Sequence, residues 1–294
     1  TRGLIPDVAL LIACHESTIT LEREDTFKET LRSALRLFPA NNVFVCDNGC
    51  VSSPHPVDRT EAVCDAVSRE FYSNGEDRLN YLYIPEGNKS HALYWTTELW
   101  IPKLVQAGVM ADPTWAMVID DDVPLPPDLQ VPLATLACHP EVKAVSYSIE
   151  AATESGEPNV LVSLQDAEYK IVGVMKLLQA KWGTAMYCHG AIGLWRRDML
   201  GKKVLWDHDT EFHGEDMYMG LLLHRLRRNY KIEVAAKAVV PTYAPESLLM
   251  LFKQRVRSWD LCTQRKVFSL FKELVMGWCS GHRALALKPF LFYE

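Results

Sequence analysis

Four short, mostly apolar runs, at residues 8–13, 43–46, 79–84 and 115–119, constrain the fold of this chain more than any other feature. Between them lie segments with helical spacing of apolar residues. Phe27, Leu31 and Leu35 recur within 22–37, a helix is expected around 58–69, and Leu93, Thr97, Trp100, Ile101 and Leu104 line one face of 90–106. A run that is apolar at most positions suits a strand buried on both faces, and strands alternating with helices build a mostly parallel sheet through right-handed crossovers. The expected fold class is therefore α/β, a mostly parallel central sheet flanked by helices. Beyond residue 140 the pattern loosens. Strands are expected at 142–149, 191–195, 232–235 and 238–240, and helices at 166–181, 215–228 and about 245–275. With no internal repeat or low-complexity linker, the economical division is one domain over 1–294.

The run at 115–119 ends in Asp120-Asp121-Asp122, followed closely by Pro124, Pro126 and Pro127. In open parallel sheets ligands bind outside the carboxyl ends of the strands, and Ala13 to Glu16, Asp47 and this acidic triplet all fall at such ends. Mg2+ and Mn2+ take hard oxygen ligands, commonly one or two carboxylates together with substrate phosphates. The triplet thus fits a site for an activated, phosphate-bearing donor. A solvated acidic turn is the competing reading, since Asp serves turns through local hydrogen bonds.

Composition narrows the classes. The 294 residues are 48% hydrophobic, enough for a large core, and no apolar run reaches the roughly 20 residues that cross a bilayer. A net charge of -6 argues against a nucleic-acid partner. The eight cysteines, at 14, 46, 50, 64, 138, 188, 262 and 279, show no CxxC pairing, so reduced, buried thiols are expected, as on the cytosolic side of a membrane. The last quarter is basic, with Arg225, Lys231, Lys253, Arg255, Arg257, Arg265 and Lys272 among its cations. That patch suits a diphosphate, anionic lipid headgroups or solvent. The sequence starts at Thr1 without a signal-peptide pattern, and flanking membrane helices are expected outside it.

Six motifs in order carry a family resemblance: Ala13-Cys14-His15-Glu16, Asp47, Gly87-Asn88-Lys89, Asp120-x-Asp122, Gly214-Glu215-Asp216 and Gln254-Arg255-Val256-Arg257. Together they resemble the family 2 glycosyltransferases of GT-A fold, and among these the membrane-embedded cellulose, chitin and hyaluronan synthases. The resemblance spans about residues 8–260. It implies a nucleotide-binding half over about 1–125, an acceptor and catalytic half over about 126–260, and a basic, membrane-interface helical segment over about 246–294.

The resemblance also implies roles. Ala13, His15 and Glu16 would border the nucleotide, and Asp47 would accept an N–H from uracil, which penalises a wrong base by leaving a polar group unpaired. Lys89 would approach the diphosphate or uridine. Asp120 and Asp122 match the DxD pair: Asp122 would ligate Mg2+ or Mn2+, and Asp120 would contact ribose or the metal. Asp216, beside Glu215, matches the last residue of the TED motif and would be the general base. Gly214 stands where the motif has Thr. Gln254, Arg255 and Arg257 match the start of QxxRW, with Arg257 toward the diphosphate. The expected Trp is Ser258, and Trp259 follows; one residue is about 100° of helical rotation, so its acceptor-stacking role and processive synthesis stay open.

The expected function is a metal-dependent inverting transfer from a UDP-sugar to a glycan or lipid acceptor, in polysaccharide synthesis at the cytosolic face of a membrane. Two other classes remain at this stage. A sugar-phosphate nucleotidyltransferase would normally carry a Gly-rich, Arg-containing loop where this chain has Ala13-Cys14-His15-Glu16. A non-catalytic nucleotide-sugar-binding protein would need none of the carboxylates in combination.

Overall fold

Seven strands form a mostly parallel sheet in the order β3-β2-β1-β4-β6-β5-β7. This is a computed structural model; it describes residues 4–15, 18–49, 57–72, 77–85, 88–153, 156–206, 215–226 and 229–258, with Phe268 and Lys272. The chain divides into two compact units, Thr1–Pro127 with Leu194–Trp206, and Asp128–Gly193 with Asp207–Glu294.

In the first unit, β1 (Val8–Cys14) is buried at every position, which explains why its sequence is an unbroken apolar run. It pairs in parallel with β2 (Val43–Asp47) on one side and β4 (Trp115–Asp120) on the other, and β3 (Asn80–Tyr83) extends the sheet beyond β2. Register aligns Cys14 with Asp47 and Ala13 with Asp120. Helix α1 (Leu21–Leu37) starts at Thr20, whose hydroxyl accepts from Arg23 N, and it buries Phe27, Leu31, Ala34 and Leu35. Helix α2 is Val57–Phe71. The helix expected over 90–106 is built of α3 (Lys89–Trp95), a π-helical turn over Thr96–Trp100 and α4 (Ile101–Gln106). Thr96 and Thr97, both buried, hydrogen-bond back to Ala92 O and Leu93 O at the entry to that turn.

The second unit contains α5 (Leu133–Ala137) and the parallel pair β5 (Val142–Ala152) and β7 (Lys231–Tyr243). The sequence suggests two short strands in the β7 region; the structure has one. The adjacent exposed residues Ala236 and Lys237 break the inside–outside alternation where pairing jumps from Ala235 to Val239, a bulge that bends the strand without ending it. Helix α6 (Val160–Trp182) begins six residues earlier than expected because Asn159 Oδ1 accepts from the N–H groups of Leu161 and Val162. Strand β6 (Ile192–Arg196) leads into α7 (Arg197–Met199) and a second π-helical turn, Leu200–Leu205, and from Leu194 onward this stretch belongs to the first unit. Helices α8 (Glu215–Arg225) and α9 (Leu248–Ser258) complete the elements. No helix among the described residues is long and apolar enough to cross a membrane.

One buried hydroxyl ties the acidic turn after β4 to α1. Ser33 Oγ donates to Thr30 O at 2.7 Å and accepts from Leu125 N at 2.8 Å. Removing it in Ser33→Ala strands the Leu125 N–H in the interior, where an unmet donor costs about 1–3 kcal/mol. Urea unfolding is expected to show a loss of that size.

Candidate active site

At the carboxyl ends of β1, β2 and β4, the first unit gathers the residues that the sequence nominates. Asp47 closes β2 and is fully buried; its Oδ1 accepts from Gly49 N at 3.0 Å and its Oδ2 from the Tyr81 hydroxyl at 2.7 Å. Tyr81 pairs with Val45 and reaches Asp47 diagonally across the parallel β2–β3 ladder, so sequence spacing alone gives no sign of it. Burial and then the bond to Asp47 push the Tyr81 phenol well above its ordinary range, so it stays a donor. Ala13 is buried in β1, and His15 Nδ1 lies 3.4 Å from Asn48 O. Glu16 lies outside the described residues.

Lys89 is the first residue of α3, a placement fixed by Asn88, whose side chain accepts from His91 N at 3.1 Å. From there its Nζ reaches Asp120 Oδ1 at 2.6 Å. Asn48 reinforces this join: with its amide oriented to satisfy both neighbours, it accepts from Lys89 N at 3.1 Å and donates to Cys14 O. Asp121 pairs with Arg23 Nη2 at 3.3 Å, and the same guanidinium donates to His15 O at 3.1 Å.

Asp122 is in the least comfortable electrostatic position of the three. Its carboxyl is pushed up to about 7, first by burial and then by the negative charges of Asp120 and Asp121. A divalent cation would relieve that repulsion, and the donor set is all hard oxygen, so Asp120 and Asp122 fit Mg2+ or Mn2+ chemically. Among the described residues no group of three or more His, Cys, Asp or Glu side chains is arranged to hold a metal ion unaided.

In the second unit, Asp216 is the second residue of α8. Asp216, Gly220 and His224 recur every four residues and so share one face of the helix. That face packs on the segment 185–190. His224 Nε2 lies 3.0 Å from Ala185 O and 3.2 Å from Met186 O. A Cβ on Gly220 would fall 2.6 Å from Tyr187 Cβ and closer still to Met186 O. At the other end, a Cβ on Gly190 would meet Asp216 Oδ2 at 3.3 Å, so a bare glycine backbone lets the carboxylate sit close. Asp216 Oδ1 also accepts from Met217 N at 2.8 Å. Gly220 and His224 escape a motif search, although their spacing from Asp216 is the signal that could have found them.

The surroundings of Asp216 include His189, which burial and then the charge of Lys176 hold down at about 3, hence neutral. Lys176 itself is buried with its Nζ 4.1 Å over the Tyr187 ring, and Tyr169 stands edge-on to His189. Glu215 opens α8, and Gln254, Arg255 and Arg257 lie in α9; the side chains of Glu215 and Arg257, and all of Gly214 and Trp259, are outside the described residues. Gln254 is exposed, while Arg255 pairs with Glu168 at 2.6 Å. Trp195 is buried in β6, and Trp182 at the end of α6 is exposed.

Two outcomes are expected. Gly220→Ala forces α8 off backbone that cannot yield, with a loss of about 1–3 kcal/mol or more in thermal unfolding. For Asp122, a raised carboxyl means that the folded state holds the proton more tightly than the unfolded one. Its stabilising contribution is complete below the ordinary carboxylate range and is lost as pH rises through about 7. In chelator, Asp122→Asn should therefore melt higher than the parent at pH values above 7, and the gap should close toward acid. Melting curves with the same offset at every pH would contradict the assignment.

Residues 6–260 match the family described as "Glycosyltransferase like family 2". Among solved structures, S. aureus TarS 1-349 in complex with UDP-GlcNAc is similar with a TM-score of 0.55 at 13% identity, covering 97% of this chain and 71% of that one. The structure of S. aureus TarS gives 0.48 at 12% identity, covering 91% and 43%. At such identities the likeness with TarS 1-349 is one of fold. No curated protein matches the chain in sequence.

Proposed function

The chain belongs to the glycosyltransferase-like family 2 and is a glycosyltransferase; we propose that it transfers a sugar, with inversion, from a UDP-sugar to a glycan or lipid acceptor at the cytosolic face of a membrane. The observation that carries the finer reading is the acidic triplet at the end of β4, where Asp122 is loaded with repulsion that a cation on a phosphorylated donor would relieve. The same fold holds UDP-GlcNAc in TarS 1-349, which agrees with a nucleotide-sugar donor. Cys14, Cys46, Cys64 and Cys188 are buried thiols, which agrees with a reducing compartment.

In this reading Asp47 accepts the N–H of the base, held in orientation by Tyr81 and Gly49 N. Lys89 fixes Asp120 toward the ribose side of the donor. Asp120 and Asp122 would hold Mg2+ or Mn2+, which would supply positive charge to offset that developing on the departing diphosphate. Arg257 adds a planar cation for the same phosphates. Asp216 takes the proton from the acceptor hydroxyl as its oxygen bonds to the anomeric carbon, and the bond from that carbon to the diphosphate breaks with its electron pair leaving on UDP. A single displacement of this kind inverts the anomeric centre. The amino end of α8 favours the ionised form of Asp216 that such a base requires. His189, held neutral by burial, adds no competing positive charge.

Transfer from a panel of UDP-sugars, assayed with membranes as the acceptor source, tests the reading. Asp122→Ala is expected to abolish metal-dependent transfer. Asp216→Asn is expected to lower turnover by about 10²–10⁴-fold, the usual span for a general base, while UDP affinity holds. Full turnover by either variant, or turnover undiminished by chelation, would overturn it.

A further inference from the structure

Helix α6 presents its apolar side outward. Its buried positions include Gln165, Lys176 and Gln179, whereas Val160, Leu164, Ile171, Val174, Leu178 and Trp182 are each between 43% and 79% exposed. The inward polar groups have partners of their own: Gln165 Nε2 donates to Pro245 O at 2.9 Å, and Gln179 Oε1 accepts from Met186 N at 3.0 Å. The helix is thus seated by these polar contacts together with the buried Val162 and Ala180, and the six outward apolar residues play no part in that seating.

The outward residues follow a rule. Val160, Leu164, Ala167, Ile171, Val174 and Leu178 are separated by four, three, four, three and four residues, and all are exposed. That alternation is the a/d seam of a helix that packs knobs-into-holes on another helix, sustained over nearly three heptads. From it we infer that α6 is a dimerisation helix, pairing with α6 of a second copy of this chain.

Three features select a second copy over other occupants. First, the seam carries no charge between Val160 and Leu178, so the same patch can meet itself, as a two-fold interface requires. Second, the charges beside it are already matched within the chain. Glu168 pairs with Arg255 at 2.6 Å, and Lys170 pairs with Asp166 at 2.5 Å, so apposed copies bring no bare like charges together. Acidic residues beside the seam also suit a helix partner better than anionic lipid, for which a surface helix carries cations on its flanks. Third, the seam and Trp182 offer roughly 600 Å² per chain, against about 800 Å² per partner in a standard interface. Helix α9, joined to α6 through Arg255, has Leu248, Leu249 and Phe252 exposed to supply the remainder.

Sedimentation equilibrium of the purified chain, over about 1–100 µM, tests the inference. A concentration-dependent dimer is expected, weakened about 100-fold or more by Ile171→Glu and by Leu164→Glu, since each would bury an unpaired carboxylate. Both positions are exposed, so far-UV circular dichroism should match the parent, and Val239→Glu, an exposed site in β7, should leave the dimer intact. A monomer throughout the range, or a dimer indifferent to both seam variants, would overturn the inference. A monomer that co-sediments with phosphatidylcholine vesicles until Ile171 is replaced by Glu would also overturn it, by assigning the face to lipid.

Discussion

Parallel pairing of β1 with both β2 and β4 is the constraint on which the candidate site of the first unit rests. Register places Cys14 beside Asp47 and Ala13 beside Asp120, so the same backbone bonds that hold the sheet also set the spacing of the acidic side chains. Since β1 is buried throughout, a slip by one residue would exchange side chains between its two packed faces, and the cost of that misfit fixes the alignment. Chemistry at the strand ends inherits its precision from hydrocarbon packing well below it.

Electrostatics then divides the labour among three consecutive aspartates. Lys89 compensates Asp120 and Arg23 compensates Asp121, while Asp122 is raised by burial and by the other two. Without a cation this arrangement is unfavourable, and it is the kind of local cost that folds retain at functional positions. The second unit solves a different problem. There α8 must bring Asp216 against Gly190, and it does so by packing closely at Gly220 on Met186 O and on the Cα and Cβ of Tyr187.

Much of this was legible in the chain. The apolar runs of β1, β2 and β4 mark buried parallel strands because both faces are covered, and the acidic triplet marks the end of one of them. The family assignment bears out the glycosyltransferase reading taken from six ordered motifs. Other parts depend on contacts distant in sequence. Tyr81 reaches Asp47 through strand pairing, Ser33 reaches Leu125 across 92 residues, and the early start of α6 follows from one asparagine cap. The π-helical turn within 90–106 leaves no mark in apolar periodicity, since the threonines that border it suit an ordinary helix almost as well. For α6 the sequence marks a helix and no facing, and six of its apolar residues face outward.

His224 has a consequence for how the enzyme would respond to its medium. Burial holds its imidazole down at about 4, and both groups facing Nε2 are carbonyl oxygens, so the ring is the neutral tautomer with its proton on that nitrogen. The latch beneath the helix bearing Asp216 therefore does not change state between mild acidity and alkalinity. Moderate acidification of the surroundings would be felt at the β4 carboxylates while the α8 scaffold held its shape. The two units would accordingly differ in sensitivity, the first changing charge near neutrality at Asp122 and the second keeping the imidazole under α8 unchanged.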